Sequence, residues 1–351
     1  MLLRSILKSI AIIGCLLAVG FSSIVSADVK LQGSGASFPS PIYAKWFKDF
    51  SKANKGVRVD YQSKGSGAGI QDFINQVVDF AGSDAAMNDK EIAKAKNGVI
   101  LLPITAGEIV LTYNLPGIKE VRLPRAVYPE IFMGKITKWN DPKIAQANPG
   151  VKLPDQDITV VVRSDSSGTT YVFTGHLSEI NEEFKNSIGQ GKAPQWPKSS
   201  KIVKAPKNDG ITATVKQTPG SIGYIEYGFA KLTKSPVALL ENRDGKFVAP
   251  GPESGAAALA SAEFPTGNLP GSQIPDLRAW VFDPAGEKAY PIATFTWLIF
   301  PEKQEADKAK VARDLVEYAL TEGQKSADAL GYIPLPGNVV DMVRKVSQQI
   351  Q

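Results

Sequence analysis

Ile158-Thr159-Val160-Val161-Val162 runs directly into Arg163-Ser164-Asp165-Ser166-Ser167-Gly168-Thr169, and then into a stretch carrying Val172, Phe173 and Leu177. The first five residues are β-branched and almost wholly apolar, as in a strand buried on both faces. The last group repeats apolar residues at helical spacing, and the polar segment between them is short. A buried strand, a tight polar turn and a helix make one half of a βαβ unit, which predicts an α/β protein with mainly parallel sheets flanked by helices.

The same unit recurs on the N-terminal side. Val29 to Leu31 leads into Gly33-Ser34-Gly35-Ala36-Ser37-Phe38-Pro39 and a helix from about Pro41, with Ile42, Tyr43, Trp46, Phe47 and Phe50 on one face. Val57-Arg58-Val59-Asp60-Tyr61 alternates as a strand and leads into Lys64-Gly65-Ser66-Gly67-Ala68-Gly69. A helix is predicted next, with Ile70, Phe73, Ile74 and Val77 on one side. Further on, Ala289 to Phe300 reads as a strand and Lys308 to Leu320 as a helix turning Val311, Leu315, Val316 and Tyr318 inward. Pro250 to Gly255 and Pro265 to Gly271 read as loops.

The chain has 351 residues and starts with Arg4, Lys8, an apolar run from Ile10 to Phe21, and small residues at Val25-Ser26-Ala27. That order predicts an export signal over 1–27. The run is too short for a spanning helix, which needs about 20 apolar residues. Cys15, in Ile12-Ile13-Gly14-Cys15, resembles a lipoprotein cleavage box, but the apolar stretch before it is short for that use. Cleavage after Ala27 leaves no cysteine, since Cys15 is the only one, and so excludes disulfides and thiol catalysis. His176 is the only histidine, which leaves zinc sites poorly supplied, and it reads as structural. The net charge is +5, two units of which come from Arg4 and Lys8. The remaining bases are scattered among acids, which argues against nucleic acid as a partner.

Three Gly/Ser/Thr loops, each between a strand and a helix, suit anion capture. Helix N-termini present unpaired N–H donors and about half a positive charge, and hydroxyls add donors. Ordinary turns and helix caps use the same residues, so no single loop decides the matter. The loop from Arg163 to Thr169 adds a guanidinium, whose planar fork of donors matches two oxygens of a tetrahedral oxyanion. Asp165 stands where it can hold that fork, or form a surface pair with it.

Gly35-Ala36-Ser37-Phe38-Pro39, Gly65-Ser66-Gly67, Gly82-Ser83-Asp84-Ala85 and Arg163 to Thr169, in this order and spacing, resemble the periplasmic phosphate-binding proteins of ABC-type phosphate importers, the PstS family. The resemblance continues through Tyr43 to Trp46, Gly134 to Trp139 and Gly220 to Tyr224. It implies a two-lobed periplasmic-binding-protein fold of type II with the ligand in the cleft between lobes. Lobe I would be 28–104 plus 290–351, and lobe II 105–289. It implies phosphate donors from Ser37, the Phe38 amide, Ser66, Ser167, the Gly168 amide and Thr169, charge-assisted contacts from Arg163, and Asp165 as its orienting partner. Ser37 stands where the family often has threonine, which keeps the hydroxyl. The expected partners are inorganic phosphate and the permease of the inner membrane, with a periplasmic monomer and no cofactor.

Asp84 matches the family's acidic residue facing the ligand, and only one kind of anion suits it. A carboxylate repels an anion with no hydrogen to give, whereas phosphate near neutral pH keeps a proton that can point at it. Sulfate has none. The bland reading makes Asp84 a cap for Asn88-Asp89-Lys90-Glu91. A binder of another tetrahedral oxyanion and a secreted phosphatase with a Ser or Thr nucleophile are the competing functions. The phosphatase has little to work with, as no carboxylates cluster near the Ser-rich loops and covalent phosphoryl chemistry needs an activated nucleophile or metals.

Overall fold

Strand and helix alternate as expected from Val29 onward. The computed structural model describes residues 28–199 and 201–351, so the expected signal segment at 1–27 and Cys15 lie outside the described residues. First come β1 (Val29–Gly35), α1 (Ser40–Ala53), β2 (Val57–Ser63), α2 (Ser66–Ile74), β3 (Phe80–Ser83), α3 (Asp89–Ile92) and the long β4 (Ile100–Tyr113). Then follow β5 (Arg122–Leu123), α4 (Val127–Phe132), α5 (Pro142–Ala147), β6 (Thr159–Arg163), α6 (Gly168–Ile180), α7 (Glu182–Ser187), β7 (Ile202–Ala205) and α8 (Lys207–Gln217). The last third holds β8 (Ser221–Glu226), α9 (Tyr227–Thr233), β9 (Leu239–Glu241), β10 (Phe247–Val248), α10 (Pro252–Leu259), β11 (Ala293–Phe300), α11 (Ala306–Tyr318) and α12 (Gly337–Ser347).

Eight strands form one sheet in the order β2-β1-β3-β11-β4-β8-β6-β7, and β10-β9-β5 form a small second one. Pairing is parallel at both ends, among β1, β2 and β3 and among β6, β7 and β8. The middle is antiparallel, because β11 comes back late in the chain and inserts between β3 and β4. The sheet is therefore mixed. All 14 residues of β4 are buried, as expected for a strand with neighbours on both edges. Its first part pairs with β11 as far as Glu108, and from Ile109 it pairs with β8, so one strand belongs to two half-sheets. Pro103 has no N–H to give a ladder, and the register of β11 against β4 shifts beside it, between Thr296 and Trp297.

In α1 the predicted face is buried as Ile42, Tyr43, Trp46, Phe47 and Phe50, and the Trp46 indole donates to the Gly323 carbonyl at 2.9 Å. Three expectations need correcting. Val77 is 61% exposed, because α2 ends at Ile74 and Gln76 takes a left-handed φ of 58° that turns the chain before it. Pro250 to Gly255 is not all loop, since Pro252 starts α10 at a position where its missing N–H costs nothing. The strand read over Ala289 to Phe300 begins only at Ala293.

Glu108 is buried where β4 changes partner. It accepts from the Gly251 N–H and the Ser254 hydroxyl, each at 2.8 Å. Burial pushes its carboxyl up to about 8, against those two hydrogen bonds. A group raised in the folded state gives stability that is complete below its unfolded value near 4.5 and is lost as pH climbs towards 8. Glutamine can still accept from Gly251, and Ser254 can then turn to the Ala249 carbonyl, 2.9 Å away. Glu108→Gln is therefore expected to match wild type near pH 5 and to melt several degrees higher near pH 9, at about 1.4 kcal/mol per pH unit across the window. Calorimetry at the two pH values checks this; a variant that melts lower at high pH would refute it.

Candidate functional site

The loops singled out in the sequence follow strands β1, β2, β3 and β6 at their carboxyl ends, where α/β sheets hold ligands. They meet. The Gly67 N–H, in the first turn of α2, donates to the Ser166 carbonyl at 2.9 Å, joining the second loop to the loop before α6. Gly168 opens α6 with no room for a side chain, as a Cβ there would lie 2.3 Å from the Ser66 hydroxyl and 2.8 Å from an Asp84 carboxylate oxygen. The first turns of α2 and α6 thus meet. Ser167 caps α6 by accepting from the Thr170 N–H at 3.0 Å, which leaves its hydroxyl hydrogen free to point elsewhere.

Asp84 follows β3 directly and is buried. Its carboxylate accepts from the Thr169 hydroxyl at 3.2 Å and the Thr296 hydroxyl at 3.1 Å, and its backbone N–H donates to Ser66 at 3.2 Å. Burial pushes its carboxyl up to about 7, against the pull of the Thr296 hydrogen bond, the Arg163 charge and Thr169. The carboxyl therefore takes up a proton much more readily near neutral pH than an ordinary aspartate does. The capping reading of Asp84 does not hold, because Asn88 caps α3 itself through a reciprocal box with Glu91.

Arg163 ends β6 with its side chain only 1% exposed. Nε donates to one Asp165 oxygen at 2.8 Å and one terminal nitrogen to the other at 2.5 Å. The remaining terminal nitrogen, Nη1, is buried and has no acceptor. Burial alone would raise the Asp165 carboxyl, but Arg163 and the Lys207 N–H hold it below the ordinary value. Asp165 is thus the anchor of the guanidinium rather than a surface partner. Ser37 and Phe38 lie in the turn into α1 and are buried, and the Phe38 carbonyl accepts from the Tyr332 hydroxyl at 2.7 Å. Lys64 is turned away onto Asp72, 2.9 Å distant, which also accepts from Ser34.

Two residues in the cluster escaped the sequence reading. Asn208, in the first turn of α8, donates to Ser37 at 2.9 Å and to Thr169 at 3.2 Å. Its signal was a fourth strand–loop–helix junction, Ile202 to Asn208, with a short, half-polar strand. Thr296 lies at the register shift of β11, and the two threonines, Thr294 and Thr296, in an otherwise apolar and fully buried strand are the clue. His176 is buried in α6 between the Tyr128 hydroxyl at 2.7 Å and the Phe282 carbonyl, so both ring nitrogens are engaged, and burial pushes its pKa down to about 4. Among the described residues no group of three or more His, Cys, Asp or Glu is placed to hold a metal, and no helix is long and apolar enough to cross a membrane.

Residues 23–322 match the PBP superfamily domain. The chain is 37% identical to the phosphate-binding protein PstS of Xylella fastidiosa (strain Temecula1) over 319 residues, covering 90% of this chain and 84% of that protein. It is 36% identical to the PstS of Pasteurella multocida (strain Pm70) over 334 residues, covering 94% and 93%. Among solved structures it resembles a high affinity periplasmic phosphate-binding protein bound with phosphate, with a TM-score of 0.72 at 24% identity over 90% of this chain and 93% of the other. The phosphate-binding protein from Stenotrophomonas maltophilia superposes with a TM-score of 0.71 at 22% identity, again over 90% and 93%. The fold is the two-lobed α/β architecture of those proteins.

Proposed function

The chain belongs to the PstS family of phosphate-binding proteins, and from that premise we propose that it captures inorganic phosphate between two lobes and delivers it to an ABC-type permease. The observation that carries this reading is the pairing of a buried, anchored Arg163 with a buried Asp84 inside one set of hydroxyl and helix-start donors. Donors alone would suit any oxyanion, and the carboxylate narrows the choice to one that brings its own proton. Phosphate would be held by Ser37, the Phe38 amide, Ser66, Arg163, Ser167, the Gly168 amide and Thr169, with Asp84 accepting the phosphate proton and Asp165 fixing the guanidinium.

The lobes would be 28–104 plus 290–351 and 105–289. The switch of β4 from β11 to β8 after Glu108 supports a crossing close to the first of these boundaries. Binding residues then come from both lobes, so that phosphate stabilises the closed arrangement by its differential affinity. We place the protein in the periplasm as a monomer, exported by the segment at 1–27. It binds without turning over phosphate esters, since its hydroxyls are engaged with amides and a carboxylate whose proton affinity serves ligand choice.

Calorimetric titration with phosphate, sulfate and nitrophenyl phosphate tests the reading. One phosphate per chain is expected, with sulfate weaker by about a hundredfold at pH 9, because sulfate brings no proton and Asp84 must take one from solvent first. No nitrophenol release above the uncatalysed rate is expected. Equal binding of sulfate, or none of phosphate at micromolar concentration, would overturn it.

A further inference from the structure

We infer that Asn208 is a positioning residue that sets the direction of the hydrogen bonds given by Ser37 and Thr169, making both hydroxyls donors towards the bound anion. This inference rests on the phosphate-capture reading and adds to it a residue outside the proposed set of phosphate contacts.

The orientation of the Asn208 amide is fixed by chemistry. The Glu226 backbone N–H, at the end of β8, lies 2.9 Å from Asn208 Oδ1 and can only donate, so Oδ1 accepts. The NH2 group must then face the other way. It has two hydrogens and meets two hydroxyls, Ser37 Oγ at 2.9 Å and Thr169 Oγ1 at 3.2 Å. Ser37 Oγ also accepts from the Asn208 backbone N–H at 3.1 Å. A serine hydroxyl has two acceptor lone pairs and one hydrogen. Both lone pairs of Ser37 are taken by Asn208, so the one role left to it is to donate. Thr169 accepts from Asn208 and donates its hydrogen to Asp84 at 3.2 Å, a hydrogen that an anion in the cluster can claim instead.

The backbone supports the same assignment. Lys207, the residue before Asn208, has a left-handed φ of 60°, a conformation that costs a side-chain-bearing residue about 1 kcal/mol or more. The Lys207 N–H is held by Asp165 Oδ1 at 2.8 Å, the oxygen that also anchors Arg163. One carboxylate thus locks the guanidinium and the start of α8 together, and the Asn208 carbonyl is capped by the Thr212 hydroxyl at 2.8 Å. Asn208 is fully buried, and every polar atom of its side chain is paired. A buried amide with all its partners met at a ligand site is costly to assemble, and here its partners are the two hydroxyls whose polarity decides anion binding.

A hydroxyl that is free to turn presents a lone pair to an anion as readily as a hydrogen. Forcing it to donate removes that repulsive arrangement before the ligand arrives, which is preorganisation. Ser37 belongs to the β1–α1 turn and Asn208 to the first turn of α8, which follows β7, so the same contact links elements from the two parallel ends of the sheet.

The test is phosphate titration of wild type, Ser37→Ala, Asn208→Ala and the double variant, with Asn208→Asp followed over pH 5 to 9. Thermal unfolding of each ligand-free variant establishes that it folds. Asn208→Ala is expected to weaken phosphate about 10- to 100-fold, the scale of one or two preorganised hydrogen bonds. Combined with Ser37→Ala, its effect should shrink by about tenfold, because the hydroxyl it orients is gone. Asn208→Asp keeps the shape but reverses the polarity, so Ser37 and Thr169 turn to its carboxylate. Its phosphate affinity should be the poorest of the set at high pH and recover relative to wild type as the acid protonates. If wild type binds phosphate and the two alanine effects simply add, or if Asn208→Asp binds as well as wild type at pH 9, Asn208 does not orient these hydroxyls. If wild type fails to bind phosphate, the capture reading itself falls.

Discussion

Asp84→Asn is expected to raise sulfate affinity about tenfold at pH 8 and about a hundredfold at pH 9 while changing phosphate affinity far less, so that most of the discrimination between the two anions disappears. Burial takes water from this carboxyl, and its folded pKa climbs from 3.8 to about 7 despite the hydroxyls of Thr296 and Thr169 and the charge of Arg163. Above that pH it is an anion in a dry site. Phosphate can meet it with a proton, whereas sulfate binds only if Asp84 first takes one from solvent. One proton taken up on binding gives a tenfold loss of sulfate affinity per pH unit above about 7. Below it, the loss levels off. Asparagine offers a permanent N–H, so the variant should hold sulfate with no such slope. Titration of both anions at pH 6, 7.5 and 9 reads the result directly; equal slopes for sulfate in wild type and variant would sink the account.

The same substitution should stabilise the ligand-free protein at high pH. A carboxyl raised in the folded state binds more protons folded than unfolded between about 4 and 7, so stability falls as pH rises through that window and is flat above it. The loss amounts to about 4 kcal/mol, at 1.4 kcal/mol per unit. In the proposed site Asp84 would thus cost stability to reject the wrong anion, which is the pattern of a residue kept for specificity.

Sequence alone pointed to the hydroxyls at the strand–helix junctions and to Asp165 beside Arg163, but not to Asn208 or Thr296. Ser37, Ser66, Ser167 and Thr169 stand at strand–helix junctions, and a junction is a local pattern that a single sequence displays. Asn208 is 171 residues from Ser37 and Thr296 is 212 residues from Asp84, and no periodicity links such pairs. The same division runs through the fold. Parallel pairing at the sheet ends followed from alternating strands and helices, while the antiparallel centre depends on β11 returning between β3 and β4, a long-range choice that apolar content does not encode. Val77 was misread because the helical period continues in the sequence past Ile74, where the backbone at Gln76 stops it. Asp165 was legible because its partner is two residues away, although its hold on Lys207 was not.

Arg163→Ala is expected to weaken phosphate binding by about 30-fold to several thousandfold, since truncating one member of a buried charged contact costs about 2–5 kcal/mol. Arg163→Lys keeps the charge and is expected to recover little of this. The reason lies in how the guanidinium is divided. Nε and one terminal nitrogen satisfy both oxygens of Asp165, and Nη1 is left buried with no acceptor. A planar fork can be gripped on one edge and still donate from another, whereas an ammonium on a flexible stem cannot keep Asp165 and reach the same point. The charge itself is largely answered by Asp165, and Asp84 adds a second carboxylate close enough to feel it. In the proposed site phosphate would therefore be stabilised mainly by oriented dipoles, the starts of α2 and α6 and the fixed hydroxyls, with Arg163 supplying direction as much as charge. Buried dipoles and a buried ion pair are little screened, so phosphate affinity should change less than about threefold between 0.05 and 0.5 M sodium chloride. A lysine variant with wild-type affinity, or a steep salt dependence in wild type, would mean that bulk charge rather than a held fork binds the anion.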